Sequence, residues 1–268
     1  MKKKQVILLA MLLTACGSIT KAQVGEEINK NYDYIMNQIK AEKNNNYNIK
    51  TIGILVYDGF ADLDAIGIQS DFSSVMGTKV FFIAPESGTI HSGEGNTYQV
   101  DTSIDQVSHL DVLVIPGGLA STYLLSKNGK VLNWVRKIDR TSTFTASVCT
   151  GAWILGASGV LKGRNATTHW YRGEENLAKY GAKYQNKRYV RDGKYWTAAG
   201  VSAGIDMGLA MIVYSLGKTY SKISALNLQY DPQPPVIGNP EQNDPKLIEL
   251  MTKLYDVGLA EGIKAAKK

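Results

Sequence analysis

The 268-residue chain is predicted to fold as a layered α/β sandwich around a mostly parallel sheet. Near-continuous apolar runs recur at 51–57, 79–84, 111–115 and 142–148, the pattern of strands covered on both faces. Segments with helical spacing lie between or after them, at 62–76, 130–139 and 150–161, so strand and helix alternate. A cysteine, Cys149, stands where the fourth run meets a helix.

The chain opens with a predicted secretion signal, residues 1–15. Lys2, Lys3 and Lys4 precede an apolar run over 6–13, which closes on Leu13-Thr14-Ala15-Cys16. That run is far shorter than the roughly 20 residues a membrane-spanning helix needs. The closing tetrapeptide resembles the lipobox of bacterial lipoproteins, which implies a lipidated Cys16 at the mature amino terminus. The alternative is an ordinary signal cut after Ala15 or Ala22. Gly17, rather than aspartate, follows the cysteine, and this leans toward an outer-membrane anchor facing the periplasm of a bacterial envelope. Several acyl chains together would hold the anchor stably, as one chain alone does not.

Residues 16–49 are polar, with one weak helical stretch over 26–41, and are expected to be a lipidated terminus and tether. The domain occupies 50–268. Beyond the fourth strand, 184–197 alternates about Asp192-Gly193 as a hairpin, and 202–214 is a helix of small and apolar residues. An amphipathic helix over 245–266 ends the chain. Loss of residues 1–15 removes three lysines and no acid, so the formal charge falls from +6 to +3, too little to argue for nucleic acid. The 33 residues after Pro235 are not expected to hold a DNA-binding module.

Cys149 is the only thiol of the domain, so no disulfide can form within it. In an exported chain such a cysteine is a candidate reactive thiol. In Ala146-Ser147-Val148-Cys149-Thr150-Gly151 it occupies a strand-to-helix turn, a nucleophile elbow, and the helix terminus is expected to lower its pKa. A small buried hydrophobe is the plain alternative. Pro116-Gly117-Gly118 follows the third strand at the edge where open α/β sheets bind ligands. The Gly117 and Gly118 N–H groups are expected to form an oxyanion hole with the N–H of Thr150, a plain Pro-Gly turn being the alternative.

Asp64, with Asp62 competing, offers a carboxylate after the first strand. It is expected either to be protonated when the thiolate is present, its pKa raised by like charge, or to sit slightly away from the sulfur; capping a helix is the plain alternative for either aspartate. His169 is a possible auxiliary or a structural residue against Trp170. His91 and His109 have no convincing partner. Three scattered histidines and one domain cysteine support no metal site, and one glycine after the first strand supports no dinucleotide cofactor.

These residues, with Leu63-Asp64 and Gly67, Ile115-Pro116-Gly117-Gly118, Val148-Cys149-Thr150-Gly151, and the blocks 159–170, 200–206 and 230–235, resemble the PfpI-like branch of the class I glutamine amidotransferase superfamily. Within it the isonitrile hydratases are most similar. The resemblance spans about 52–235 and implies a flavodoxin-like sandwich. It also implies a cofactor-independent hydro-lyase, with Cys149 as nucleophile, Asp64 as acid/base and Thr150 needed for activity. A small-molecule substrate and a homodimer are implied as well. Asp58 replaces a proline common in the family, and Ala198-Ala199-Gly200 a glycine-rich approach. Two alternatives keep the same fold and cysteine: a noncatalytic binding or redox-sensing protein, and glyoxalase-type or amidase-type chemistry.

Overall fold

The computed structural model describes residues 47–75 and 77–267, with the helical positions Asn31 and Tyr34. The signal at 1–15, Cys16 and nearly all of the tether lie outside the described residues. In chain order the elements begin with β1 (Thr51–Leu55), α1 (Asp62–Ser73), β2 (Lys79–Ile83), β3 (Gly88–His91), β4 (Thr97–Val100) and β5 (Val112–Ile115). Then come α2 (Ala120–Leu125), α3 (Gly129–Thr141), β6 (Phe144–Val148), α4 (Gly151–Ala157), β7 (Asn165–Ala166), α5 (Gly173–Ala178) and β8 (Lys183–Tyr184). The chain finishes with β9 (Tyr189–Asp192), β10 (Tyr195–Ala198), α6 (Ala203–Leu216), α7 (Lys218–Asn227) and α8 (Pro245–Ala265).

Six strands form the main sheet in the order β2-β1-β5-β6-β10-β9, all neighbours parallel except the β10–β9 pair. Every residue of β5, β6 and β10 is buried, as the unbroken apolar run of β5 requires and as central strands covered on both faces are. Each fully buried Ile, Val or Phe side chain contributes about 1.5–3 kcal/mol. Helices α1, α6 and α7 pack together on one face, and α2, α3, α4 and α5 on the other. The chain runs outward from β1 to β2, then returns to place β5 on the opposite side. The β1/β5 gap is therefore a topological switch point, where open sheets bind ligands. Registers Ile54↔Val114 and Val114↔Ala146 bring the ends of β1, β5 and β6 level, so their three following loops meet.

Local differences from expectation have physical causes. α4 stops at Ala157, not 161, because the Ser158 hydroxyl caps the Leu155 carbonyl at 2.7 Å and Gly159 turns with φ 86. The hairpin strands are 189–192 and 195–198, while Lys183–Tyr184 pairs with Asn165–Ala166 in a separate ladder. The β3–β4 hairpin, α2 and α7 carry little apolar periodicity and were not expected. His91, expected to lack a partner, ends β3, and its Nδ1 meets the Thr97 hydroxyl at 3.2 Å. His109 pairs with Asp111 at 3.5 Å. No helix among the described residues is long and apolar enough to cross a membrane.

Candidate active site

Cys149 is held in the left-handed region at φ 58, a conformation costing a non-glycine residue about 1–3 kcal/mol. The surroundings impose it. Its N–H donates to Ala198 of β10 at 3.0 Å, and its carbonyl accepts from the Thr168 hydroxyl at 2.8 Å. Gly151 lies so close to the Ile115 and Pro116 carbonyls that a Cβ would collide with both. The strand-to-helix turn thus rests directly on the end of β5, and the expected elbow is present.

Asp64 enters from the other side of the switch point. It sits in the first turn of α1 and is fully buried. Its Oδ2 accepts the Gly117 N–H at 2.7 Å, while Oδ1 is buried with no hydrogen-bond partner. Burial pushes its pKa up to about 7, against the pull of the Gly117 N–H and of the neighbouring Cys149 thiol. Asp62 is elsewhere: its carboxylate takes the Tyr98 hydroxyl at 2.8 Å and the Ser92 hydroxyl at 3.0 Å, tying the β3–β4 hairpin to α1. Asp64 is therefore the acid beside the sulfur.

The electrostatics correct two expectations. Burial, and after it the Asp64 charge, pushes the Cys149 thiol well above its ordinary pKa; the Thr150 N–H and hydroxyl only partly offset this. One short helix terminus does not outweigh the loss of water, so a strongly depressed thiol pKa is not what this site produces. The pKa of Asp64 is indeed raised, but by burial rather than by repulsion from a thiolate. Near neutral pH the thiol keeps its proton, and the carboxyl stands close to its midpoint.

The expected oxyanion donors are also committed elsewhere. Gly117 N–H grips Asp64, and Gly118 N–H donates to the Thr150 hydroxyl at 3.1 Å, as does Leu119 N–H at 3.2 Å. The loop after β5 therefore positions the acid and the threonine. The Thr150 N–H remains directed at the sulfur. Two residues that sequence reasoning missed complete the network. Tyr57 donates to the Pro116 carbonyl at 2.7 Å and lies 2.9 Å from Thr122, which lies 3.0 Å from the Thr150 Oγ1. With the Tyr57 proton given to Pro116, Thr122 donates to Tyr57, which frees the Thr150 proton for Thr122 or the sulfur. No sequence motif marks a buried hydroxyl in a short helix such as α2.

His169 is packed rather than poised. Its ring is 5.4 Å from Trp170 and 5.3 Å from Tyr255 of α8, its Nδ1 accepts the Tyr171 N–H at 3.3 Å, and burial lowers its pKa to about 4. It is neutral at pH 7. Among the described residues no cluster of three His, Cys, Asp or Glu side chains could hold a metal ion. The assembled groups offer a buried thiol, an acid with one uncommitted oxygen, and an N–H at the sulfur. Together they suit nucleophilic attack coupled to proton transfer.

Residues 50–213 match the model of the DJ-1/PfpI family. The isonitrile hydratase of Pseudomonas putida is 32% identical over 69% of this chain and 80% of its own. A deglycase of Pyrococcus horikoshii is 33% identical over 48% of this chain and 77% of its own. A crystal structure of a THiJ/PfpI family protein from Pseudomonas syringae, 31% identical, superposes with a TM-score of 0.75, covering 81% of this chain and 90% of that one.

Proposed function

This chain belongs to the DJ-1/PfpI family, and from that premise we propose that it hydrates an isonitrile to an N-substituted formamide, with Cys149 as nucleophile. The observation that carries the proposal is the pairing of a buried, protonated thiol with a carboxyl whose pKa is raised to about 7. Such a pair can move a proton at neutral pH without a free thiolate at rest. The likeness to an isonitrile hydratase over 69% of the chain supports the substrate class.

In the first step the sulfur bonds to the terminal carbon of R–N≡C as Asp64 takes the thiol proton and delivers it to that carbon. The product is the thioimidate R–N=CH–S–Cys149. Water then adds to the same carbon, the C–S bond breaks, and a proton returns to the thiol. R–NH–CHO leaves, and the sum is R–N≡C plus water. Thr150 steadies the sulfur through its N–H and hydroxyl while its charge changes. The full chain incubated with cyclohexyl isocyanide should yield N-cyclohexylformamide by chromatography over many turnovers. A Cys149→Ala variant that still turns over removes covalent catalysis.

Glyoxalase-type or deglycase chemistry is the second reading, favoured by the deglycase relative. It uses the same cysteine on a carbonyl, and methylglyoxal consumption in place of formamide formation distinguishes it. Export and lipidation at Cys16, and a homodimer, belong to the same proposal.

A further inference from the structure

We propose that Tyr255 is a specificity-determining residue: with His169 and Trp170 it closes an aromatic wall beside Cys149 that limits the size of the group a substrate can carry. This deepens the reading above and rests on it for the identity of the substrate.

α8 lies outside the two helical layers and has no fully buried residue. It is laid across α2, with Gly262 packed on Ala120 and Gly258 facing Leu119, directly after the Pro116-Gly117-Gly118 turn. From this position Tyr255 turns inward. Its ring meets His169 at 5.3 Å, Trp170 at 5.6 Å and Tyr171 at 5.2 Å. The segment carrying those rings is fixed to the nucleophile turn, because Thr168 donates to the Cys149 carbonyl at 2.8 Å. The Tyr255 phenol pKa is raised by burial and then by the charge of Cys149, in keeping with the place that the Thr168 bond gives its ring partners.

The neighbouring residue sets the orientation. Asp256 accepts Arg172 Nε at 3.0 Å and Nη2 at 2.9 Å, and the Tyr171 hydroxyl at 2.6 Å. The ion pair is partly exposed, so it adds little stability, but the three bonds define the rotation of α8 and hence where Tyr255 points. A wall of Tyr, Trp and neutral His favours an apolar substituent and penalises a charged one. Since Tyr255 lies on a helix separate from the catalytic elements, it can be changed without moving Asp64 or Thr150.

The test compares wild type, Tyr255→Ala and Tyr255→Phe as full chains. One pair of probes is iodoacetamide and N-tert-butyliodoacetamide at Cys149, and the other is n-butyl and tert-butyl isocyanide hydration. Tyr255→Ala should raise the bulky-to-slender rate ratio about ten-fold in both pairs, the scale on which a hydrophobic pocket discriminates. Tyr255→Phe should keep the wild-type ratio. A ring of purely structural importance would lower stability and leave the ratio alone, and an unchanged alkylation ratio in Tyr255→Ala overturns the assignment. If that variant does not fold, Tyr255→Leu is judged by the same ratio. Shifted alkylation without wild-type hydration discards the isonitrile reading and keeps Tyr255 in its role. Hydration with unchanged ratios does the reverse.

Discussion

The Gly117 N–H donates to Asp64 Oδ2 at 2.7 Å, so the glycine loop after β5 serves the acid rather than an oxyanion. One oxygen of the carboxylate is thereby fixed and the other, buried and without a hydrogen-bond partner, is left for proton transfer. The bond also limits how far burial raises the Asp64 pKa, which settles at about 7.

A pH profile follows from that value. The active form has Asp64 ionised and Cys149 protonated, so kcat/KM should rise with pH through about 7 and stay level until the thiol ionises far above. The rising limb belongs to the pair. Asp64→Asn should lose both the limb and most of the activity. An unchanged limb in that variant would assign it to another group.

Thr150 accepts two backbone N–H groups through one oxygen. Thr150→Val leaves both partly buried donors without their acceptor, at most about 1–3 kcal/mol each. Denaturant titration should show the loss, with kcat/KM falling about a hundred-fold. Thr150→Ser should retain most of both.

Asp71 is fully buried, with neither oxygen hydrogen-bonded, and burial followed by the charge of Asp206 raises its pKa to about 9. The native state then holds a proton that the unfolded chain releases near 3.8, so this group's contribution to stability falls as pH rises from about 4 to about 9. Asp71→Asn should flatten the dependence of Tm on pH and be the more stable form near pH 9. Parallel curves for variant and wild type would contradict the assigned pKa.

Lipidation rests on the first sixteen residues. Cells expressing the full chain should incorporate labelled palmitate into wild type and not into Cys16→Ala, with wild type in the membrane fraction. An unlabelled, cytosolic wild type would end the proposal.

The sheet was legible because β1 and β5 carry near-continuous apolar runs that are buried on both faces, while β6 is fully buried although Thr145 and Ser147 interrupt it. α1 was harder. Its buried face, residues 64, 65, 67, 68, 71 and 72, has helical spacing but includes two aspartates, so the apolar stripe is broken at Asp64 and Asp71. Cys149, Asp64 and Thr150 stood out by position after a strand or before a helix. Tyr57 and Thr122 did not, because they come from the loop after β1 and from α2, and only the fold brings them there. The thiol's high pKa was hidden for a similar reason: a helix terminus is visible in sequence, whereas the depth of burial that outweighs it is not.

The most direct test of covalent hydration is rapid-quench mass spectrometry of the full chain mixed with cyclohexyl isocyanide. The expected result is a transient adduct of one isonitrile on the Cys149 peptide that forms before N-cyclohexylformamide and decays as it accumulates. Formamide produced with no adduct at Cys149, or an adduct that persists without formamide, would contradict it.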